Sequence, residues 1–232
     1  MTDSHPPLAR LKRQIEALSP SLGDGHRGRA SLGLSALDAR LGGGIAKGAV
    51  HELLPCTAED GASAAAFALM LAARLSGSAG KILWIATDAQ LRRGGQPYGP
   101  GLRGLGLDPD QLILVTTPDD LACLKAASDS LACAGLAAVI IEAGETTRLD
   151  LTASRRLALA AERSGVTAML LRPGESVIAS AAASRWQVAS APSVRLPGQA
   201  PGHPMLSLSL VRHRGGEDQE FTREKDEGRH AE

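Results

Sequence analysis

Residues 33–63 read GLSALDARLGGGIAKGAVHELLPCTAEDGAS. Apolar residues at helical spacing predict one short helix over residues 34–41, and the three glycines that follow end it because glycine is a poor helix former. The compact apolar run 49–54 predicts a buried strand, and the alanine- and leucine-rich run 62–75 predicts a helix. A strand, a loop and a helix in this order form the context in which a phosphate-binding loop occurs.

The loop itself departs from the Walker A pattern, which requires Gly, four residues and then Gly-Lys-Ser/Thr. Aligned on Gly61, the chain has Cys56 in place of the first glycine, Ala62 in place of the lysine and Ser63 at the Ser/Thr position. The lysine of a working loop reaches the phosphates as a positive point charge, which alanine cannot supply. The sequence therefore predicts a loop without its main phosphate-binding side chain.

Two carboxylates, Glu59 and Asp60, precede Gly61 and would repel phosphate oxygens at short range. The same residues fit an ordinary helix start with no nucleotide ancestry, because glycine and serine begin many helices. We interpret the loop as a degenerate phosphate loop because of the stretch that precedes it, residues 33–54.

That stretch, GLSALDARLGGGIAKGAVHEL at residues 33–53, resembles the segment before the Walker A loop of RecA/RadA-type recombinases. The continuation HEL and the missing lysine are similar to the ImuA family, RecA-like and sometimes SulA-like proteins of bacterial damage-induced mutagenesis. The resemblance implies an α/β fold: a RecA-like, P-loop-type core with a mostly parallel sheet flanked by helices and a degenerate Walker A loop. Strands that alternate with helices along the chain also predict a largely parallel sheet.

The resemblance further implies a function. It suggests a non-catalytic accessory protein of SOS-induced, error-prone translesion DNA synthesis, which binds other proteins and needs no cofactor. The implied partners are an ImuB-like Y-family protein, an error-prone replicative-type DNA polymerase alpha subunit and RecA itself.

Two alternatives stay open. One is a divergent ATPase that binds ATP and magnesium and takes its lysine from Lys47, Lys81 or a neighbouring subunit. The other is a SulA-like inhibitor of cell division.

Neither a catalytic arrangement nor a metal site is predicted. The histidines are scattered, no Ser/His/Asp or Cys/His set can be defended, and His51 is interpreted as a hydrogen-bonded structural residue. Cys56, Cys123 and Cys133 lack the spacing of a zinc site and suit a reducing compartment. The N-terminus lacks the apolar stretch of a signal peptide, and the uncharged run 62–73 is too short to span a bilayer. We expect a cytoplasmic protein without membrane contact.

Glu142 follows the strand predicted over residues 136–141 and occupies the place of the Walker B acid, which holds magnesium in active enzymes. We favour a structural role, in which Glu142 caps a local turn with Gly144.

The formal net charge is zero, so no field of the whole chain attracts nucleic acid. Arginines occupy the places of the recombinase DNA loops, but nearby acids dilute their field and predict weak or indirect DNA contact. They are Arg148, Arg155, Arg156, Arg172 and Arg185, with Arg212 and Arg214 near the C-terminus.

The chain divides into an N-terminal helix with a linker (1–30), a RecA-like core (31–214) and a disordered charged tail (215–232). The predicted helix, over residues 7–18, has four apolar residues on one face. They bind either a partner protein or the protein's own core. These candidate partner-binding residues are Leu8, Leu11, Ile15 and Leu18.

Four segments join the predicted strands. Residues 88–110 are predicted to be a loop with one short helix at 100–105. A helix capped by Thr117 is predicted to run to about residue 134. A further helix is predicted over 150–164, with Leu151 and Leu159 among its buried residues, and a short one over 176–184. The remaining strands are predicted over 81–87, 111–116, 166–171, 185–189 and 205–212.

Overall fold

The structure is a computed structural model of the 232-residue chain. It describes residues 28–142, 144, 150–172, 179–200 and 202–214. Two of the predicted parts lie outside the described residues: the N-terminal helix, with Leu8, Leu11, Ile15 and Leu18, and the tail 215–232. Arg148 lies outside them as well.

The described residues form nine strands and six α-helices. The strands are β1 (Arg29–Ala30), β2 (Ile45–Ala46), β3 (Val50–Pro55), β4 (Lys81–Thr87), β5 (Leu112–Thr117), β6 (Leu136–Glu142), β7 (Thr167–Leu171), β8 (Ser184–Ala191) and β9 (Met205–His213). The helices are α1 (Ser35–Arg40), α2 (Gly61–Ser76), α3 (Asp88–Gly94), α4 (Gly99–Gly104), α5 (Asp120–Leu131) and α6 (Leu151–Ser164).

Seven of the strands form one sheet in the order β5-β4-β6-β7-β3-β8-β9. All pairs in it are parallel except the last, in which β9 runs antiparallel to β8 at one edge. Strand β3 lies between β7 and β8, with Leu53 opposite Leu171 on one side and Trp186 on the other. The predicted α/β architecture, a mostly parallel sheet flanked by helices, is confirmed.

Each face of the sheet is covered by its own apolar layer. On one face, Phe67 of α2 packs edge-on against Trp186, with 5.5 Å between ring centroids. On the other face, α5 and α6 cover a second cluster that includes Val50, Ile141 and Leu157. Because parallel strands are buried on both faces, β3, β6 and β7 consist largely of buried residues.

The LDARLGGG stretch builds a compact turn in front of β3. The carboxylate of Asp38 accepts hydrogen bonds from Ser31 Oγ at 2.6 Å, Leu32 N at 2.7 Å and Gly33 N at 3.2 Å. Gly44 has a φ of +121°, and a Cβ at this position would overlap the backbone carbonyl oxygen of Ala30. Position 44 therefore requires glycine for steric reasons. Asp38 is required because its carboxylate accepts hydrogen bonds from the backbone N–H groups.

The segment 88–110 is more helical than predicted. It contains α3 in addition to α4, and the hydroxyl of Thr87 caps α3 by accepting a hydrogen bond from Gln90 N at 3.2 Å. The prediction of a continuous loop before residue 100 was wrong because the glycines at 94 and 95 obscured a helix that ends there.

The helices that follow begin and pack differently from the predictions. The cap of α5 is Asp119, which accepts from Ala122 N at 2.8 Å, whereas Thr117 is the last residue of β5. In α6, Leu151 and Leu159 are 44% and 41% exposed. The buried residues of α6 are Leu157, which was also predicted to be buried, together with Ser154 and Ala161.

Residues 179–183 are not helical, and β8 begins at Ser184, so the described part of the helix predicted over 176–184 is wrong. Backbone bonds there run to the sheet instead, for example from Ala183 N to Val50 O at 2.7 Å. Among the described residues, no helix is long and apolar enough to cross a bilayer.

Candidate functional site

The candidate site is the loop after β3, at the carboxyl edge of the sheet, where open α/β sheets bind their ligands. Residues Ala58–Asp60 form a 3-10 turn, and α2 follows directly from Gly61. Gly61 has ordinary helical dihedral angles, φ −54° and ψ −44°. The segment that wraps phosphates in a working loop is thus a closed helical turn.

The carboxylate of Asp60 is the centre of this turn and is only 6% exposed. It accepts hydrogen bonds from Thr57 N at 3.2 Å and Thr57 Oγ1 at 3.0 Å. It also accepts from Ser190 N at 2.8 Å and Ser190 Oγ at 3.0 Å, in β8. These bonds, led by that of the Ser190 N–H, hold the pKa of Asp60 below its ordinary value.

Backbone donors of the loop bond within the protein. Cys56 N donates to Val188 O at 2.9 Å and Asp60 N donates to Thr57 O at 3.1 Å, while Thr57 N bonds the Asp60 carboxylate. A phosphate loop works by directing such N–H groups at phosphate oxygens. In this conformation, three of them have protein acceptors instead.

The other predicted residues of the degenerate phosphate loop are less buried than Asp60. Ala62 is exposed in the first turn of α2, and Ser63 and Cys56 are half-buried. Glu59 and Asp60 were predicted to repel phosphate together. Their side chains differ in environment, because Asp60 is buried and Glu59 is exposed to solvent.

The lysines considered as substitutes lie at the opposite edge of the sheet. Lys47 precedes β3, and Lys81 begins β4, where its Nζ donates to Asp110 O at 3.0 Å. A six-residue strand such as β3 spans about 20 Å. Neither lysine of the same chain is therefore near Ala62.

Glu142 lies at the carboxyl end of β6 and accepts a hydrogen bond from Trp84 Nε1 at 3.0 Å. Burial raises the pKa of Glu142, and the bond from Trp84 opposes this shift. The predicted capping of Gly144 by Glu142 is wrong, because Gly144 N donates to Asp120 Oδ1 at 2.6 Å. The Glu142 carboxylate is thus bonded to an indole from the neighbouring strand β4.

Between the loop and Glu142 lies a cleft of about 60 Å³. Pockets for drug-sized ligands have volumes of about 300–1,000 Å³. The cleft has space for a few waters. Its lining residues are Pro55, Gly61, Ala64, Gln90, Glu142, Leu171 and Arg172.

Comparison of the sequence with those of known proteins assigns the chain to a family. No family model matches the chain. Protein ImuA of Caulobacter vibrioides, in strains NA1000 / CB15N and ATCC 19089 / CIP 103742 / CB 15, is 37% identical over 189 residues. The match covers 75% of this chain and 74% of that protein. The chain belongs to the ImuA family.

A crystal structure of the RadB recombinase has the same fold as this ImuA-family chain. The two superpose with a TM-score of 0.53, over 82% of this chain and 92% of that chain, at 18% sequence identity. The RecA-like core predicted from residues 33–54 is thereby confirmed as a fold.

Two of the arginines at the places of the recombinase DNA loops are buried in this ImuA-family protein, so the solvated face expected for them is wrong. Arg172 Nη1 lies 3.0 Å from Glu52 Oε1, and Arg185 Nε lies 2.7 Å from Glu52 Oε2. Arg155 and Arg156 are exposed on α6. Sequence reasoning missed Glu52, although a carboxylate inside an apolar strand signals a buried cationic partner.

Arg212 is also held by the protein, since its Nη2 donates to Ser180 O at 2.9 Å and Ala182 O at 2.8 Å. Arg185 thus joins the start of β8 to Glu52 in β3, and Arg212 joins the residues just before β8 to β9. Of the other arginines predicted at these places, Arg155, Arg156 and Arg214 are exposed.

His51 belongs to a buried hydrogen-bonded network, as its sequence position predicts. Its Nε2 lies 2.8 Å from Ala46 O and its Nδ1 lies 2.7 Å from Ser184 Oγ. Because a carbonyl oxygen only accepts, Nε2 carries the proton and Nδ1 accepts from the Ser184 hydroxyl. That hydroxyl oxygen accepts in turn from Trp186 Nε1 at 2.8 Å. Burial lowers the pKa of His51 to about 4, so the ring is neutral at pH 7.

The described residues were also compared with the requirements of a metal site. Among them, no group of three or more His, Cys, Asp or Glu side chains is placed to hold a metal ion. Cys123 is buried, which raises its pKa to about 11 and makes the thiolate scarce at neutral pH.

Proposed function

We propose that this protein is a non-catalytic, RecA-like accessory factor of SOS-induced, error-prone translesion DNA synthesis, which acts by binding other proteins. Membership of the ImuA family supports a role in damage-induced mutagenesis. The observation that carries the non-catalytic part is Asp60, whose carboxylate takes the hydrogen bonds of Thr57 and Ser190 at the position of a phosphate loop.

Three further features support a function without nucleotide. Ala62 lacks the charge that a phosphate requires, and the lysines considered as replacements lie at the far edge of the sheet. The cleft of about 60 Å³ beside Glu142 is too small for a nucleotide in this conformation. Glu142 is bonded to Trp84, and burial raises the pKa of this carboxyl.

The proposed partners are an ImuB-like Y-family protein, an error-prone replicative-type DNA polymerase alpha subunit and RecA. Direct DNA contact is weak in this proposal because Arg172 and Arg185 are paired with Glu52. The apolar face of residues 7–18 remains a proposed docking arm, formed by Leu8, Leu11, Ile15 and Leu18.

The test is genetic complementation of damage-induced mutagenesis. A strain without the gene is irradiated and supplied with the wild type, Ser63→Ala or Glu142→Gln, and mutation frequency is counted. An accessory protein without nucleotide chemistry tolerates both changes, so full complementation by both variants is expected. Loss of function in both, with normal protein levels, would favour the divergent ATPase.

Calorimetric titration of the purified protein with ATP and magnesium provides the direct comparison. We expect no saturable heat from the wild type up to millimolar nucleotide. The Ala62→Lys variant is expected to behave in the same way, because the added lysine leaves Asp60 and its bonds in place. Saturable binding by the wild type would contradict the proposal.

A further inference from the structure

The solvent face of α6 carries a row of alternating aliphatic and cationic side chains. Residues four positions apart on a helix are neighbours on its surface, and one such row runs along most of α6. All four members of the row are exposed to solvent. This row, the α6 ridge, consists of Leu151, Arg155, Leu159 and Arg163.

The charge of this face is positive. Arg155 and Arg163 are exposed, and within the described part of the chain neither has a hydrogen bond or an ion pair. Arg156 is exposed beside them, and the one acid within the helix, Glu162, is half-buried. Three arginines against one glutamate favour an acidic occupant for the α6 ridge.

The last described residue of the chain lies close to this helix. Arg214 N donates to Ala183 O at 2.8 Å. Two residues earlier, Ala181 N donates to Ser154 Oγ at 3.0 Å, and Ser154 directly precedes Arg155 in α6. The chain after residue 214 therefore continues from a point beside the first half of α6.

The segment that continues from this point, residues 215–232, is acidic. It contains seven carboxylate side chains and three lysines or arginines, and Phe221 is its only large apolar residue. At helical spacing, Glu217, Glu220 and Glu224 share one face with Phe221. Such a composition does not bury enough apolar surface to fold alone, but it can become ordered on a complementary surface. A phenyl ring among carboxylates complements leucines among arginines.

The length of this segment is sufficient for the contact. Residues 215–221 span about 23 Å when extended. The 14 residues of α6 are about 21 Å long. Phe221 can therefore reach the α6 ridge from the end of the described chain. A segment held this close has an effective concentration on the order of 1 mM, so even a weak contact is formed within one molecule.

We propose that residues 215–232 dock on the α6 ridge of the same chain. Phe221 packs between the two leucines of the ridge, and the neighbouring carboxylates pair with its two arginines. The docked segment covers the basic face of α6, so another acidic molecule reaches this face only by displacing it. The inference goes beyond the proposed function and does not depend on it, because both surfaces belong to one chain.

Carbodiimide cross-linking of the purified 232-residue chain tests the contact. The reagent joins carboxylates to lysine amines, so Arg155→Lys makes the α6 ridge reactive and keeps its charge. Arg92→Lys is the matched control, because Arg92 is an exposed arginine on α3, which packs against the other face of the sheet. Circular dichroism establishes that each variant is folded, and mass spectrometry after proteolysis identifies the joined residues.

We expect Arg155→Lys to form cross-links to carboxylates of residues 215–232 within the monomer, with a yield about fivefold or more above that of Arg92→Lys. Adding Phe221→Ser to Arg155→Lys should lower this yield several-fold, because the apolar part of the contact is lost. Gln219→Ser, in the same segment and outside the acidic face, should leave the yield unchanged.

Three results would overturn the proposal. Equal yields from Arg155→Lys and Arg92→Lys would mean that the acidic segment does not prefer the α6 ridge. An unchanged yield after Phe221→Ser would remove the packing of the phenyl ring on the leucines. Cross-links that join two chains, seen as dimers on a denaturing gel, would assign the contact to a second copy. The complementation test of the proposed function is independent of all three.

Discussion

Asp60 and Ser190 are 130 positions apart in the sequence, yet the carboxylate accepts both the backbone N–H and the hydroxyl of the serine, at 2.8 and 3.0 Å. This contact continues the pairing of β3 with β8 beyond Pro55, where the parallel ladder ends opposite Val188. In a working phosphate loop the anion at such backbone donors arrives with the nucleotide. Here a side chain of the protein supplies it permanently.

Asp60→Ala should lower the free energy of unfolding by about 1 kcal/mol, because Thr57 and Ser190 lose the charged acceptor of part-buried hydrogen bonds, although water can reach these donors. Urea unfolding at pH 7 measures the change. Since the pKa of Asp60 is below 3.8 in the folded state, its contribution is complete above that pH and is lost as the pH falls through the folded value. Its exposed neighbour offers the control: Glu59→Ala is expected to leave stability unchanged.

Substitution by alanine should have opposite effects on stability at Gly44, in the stretch 33–54, and at Gly61, in the degenerate phosphate loop. Gly44→Ala is expected to cost about 2–3 kcal/mol, because Gly44 has φ +121° and a Cβ would overlap the backbone at Ala30. Gly61 is helical with open space around it, so Gly61→Ala should leave stability unchanged or raise it by up to about 1 kcal/mol. Thermal and urea unfolding of both variants decide this, and a large loss at Gly61 would argue against the closed helical turn.

Glu52→Gln should destabilise the protein by about 3–5 kcal/mol, since it removes the buried negative charge that Arg172 and Arg185 share. Arg156→Gln, on the exposed face of α6, is the matched surface change and is expected to stay within about 0.5 kcal/mol. Denaturant unfolding of the two variants gives the comparison. Similar values for both would mean that the ion pairs are not buried.

His51 should make the protein less stable in mild acid. The ring has a pKa of about 4 when folded against 6.5 when unfolded, so the unfolded state binds the proton first. Its contribution is complete above pH 6.5 and declines towards pH 4, by a total of about 3 kcal/mol at about 1.4 kcal/mol per unit. Urea unfolding at pH 7.5, 6.0 and 5.0 measures the slope. His51→Gln should flatten it from a lower starting stability.

The strands were predictable because their signal is local. Residues 81–87 and 136–142 are short apolar runs, and both became strands of the central sheet. Helix α3 was missed, although Thr87-Asp88-Ala89-Gln90 has the Thr-x-x-Gln spacing of a capping box. Two glycines that follow closely weighed against a helix that has only seven residues.

The site was predictable only in its chemistry. The missing lysine at Ala62 is visible in the sequence, but the bond from Ser190 to Asp60 depends on which strand lies beside β3. The same holds for Glu52 and Arg172, which are 120 positions apart. Such pairs are set by the crossover order of the sheet, which no local pattern encodes.

The hydrogen bond between Trp84 and Glu142 gives the protein a built-in optical reporter. The chain contains only two tryptophans, and the other, Trp186, is buried against Phe67. In a Trp186→Phe variant, all indole emission would come from the ring that lies 3.0 Å from the Glu142 carboxylate. Its wavelength and intensity would follow the protonation of Glu142 and the arrival of any molecule in the cleft, without a label and in the intact chain.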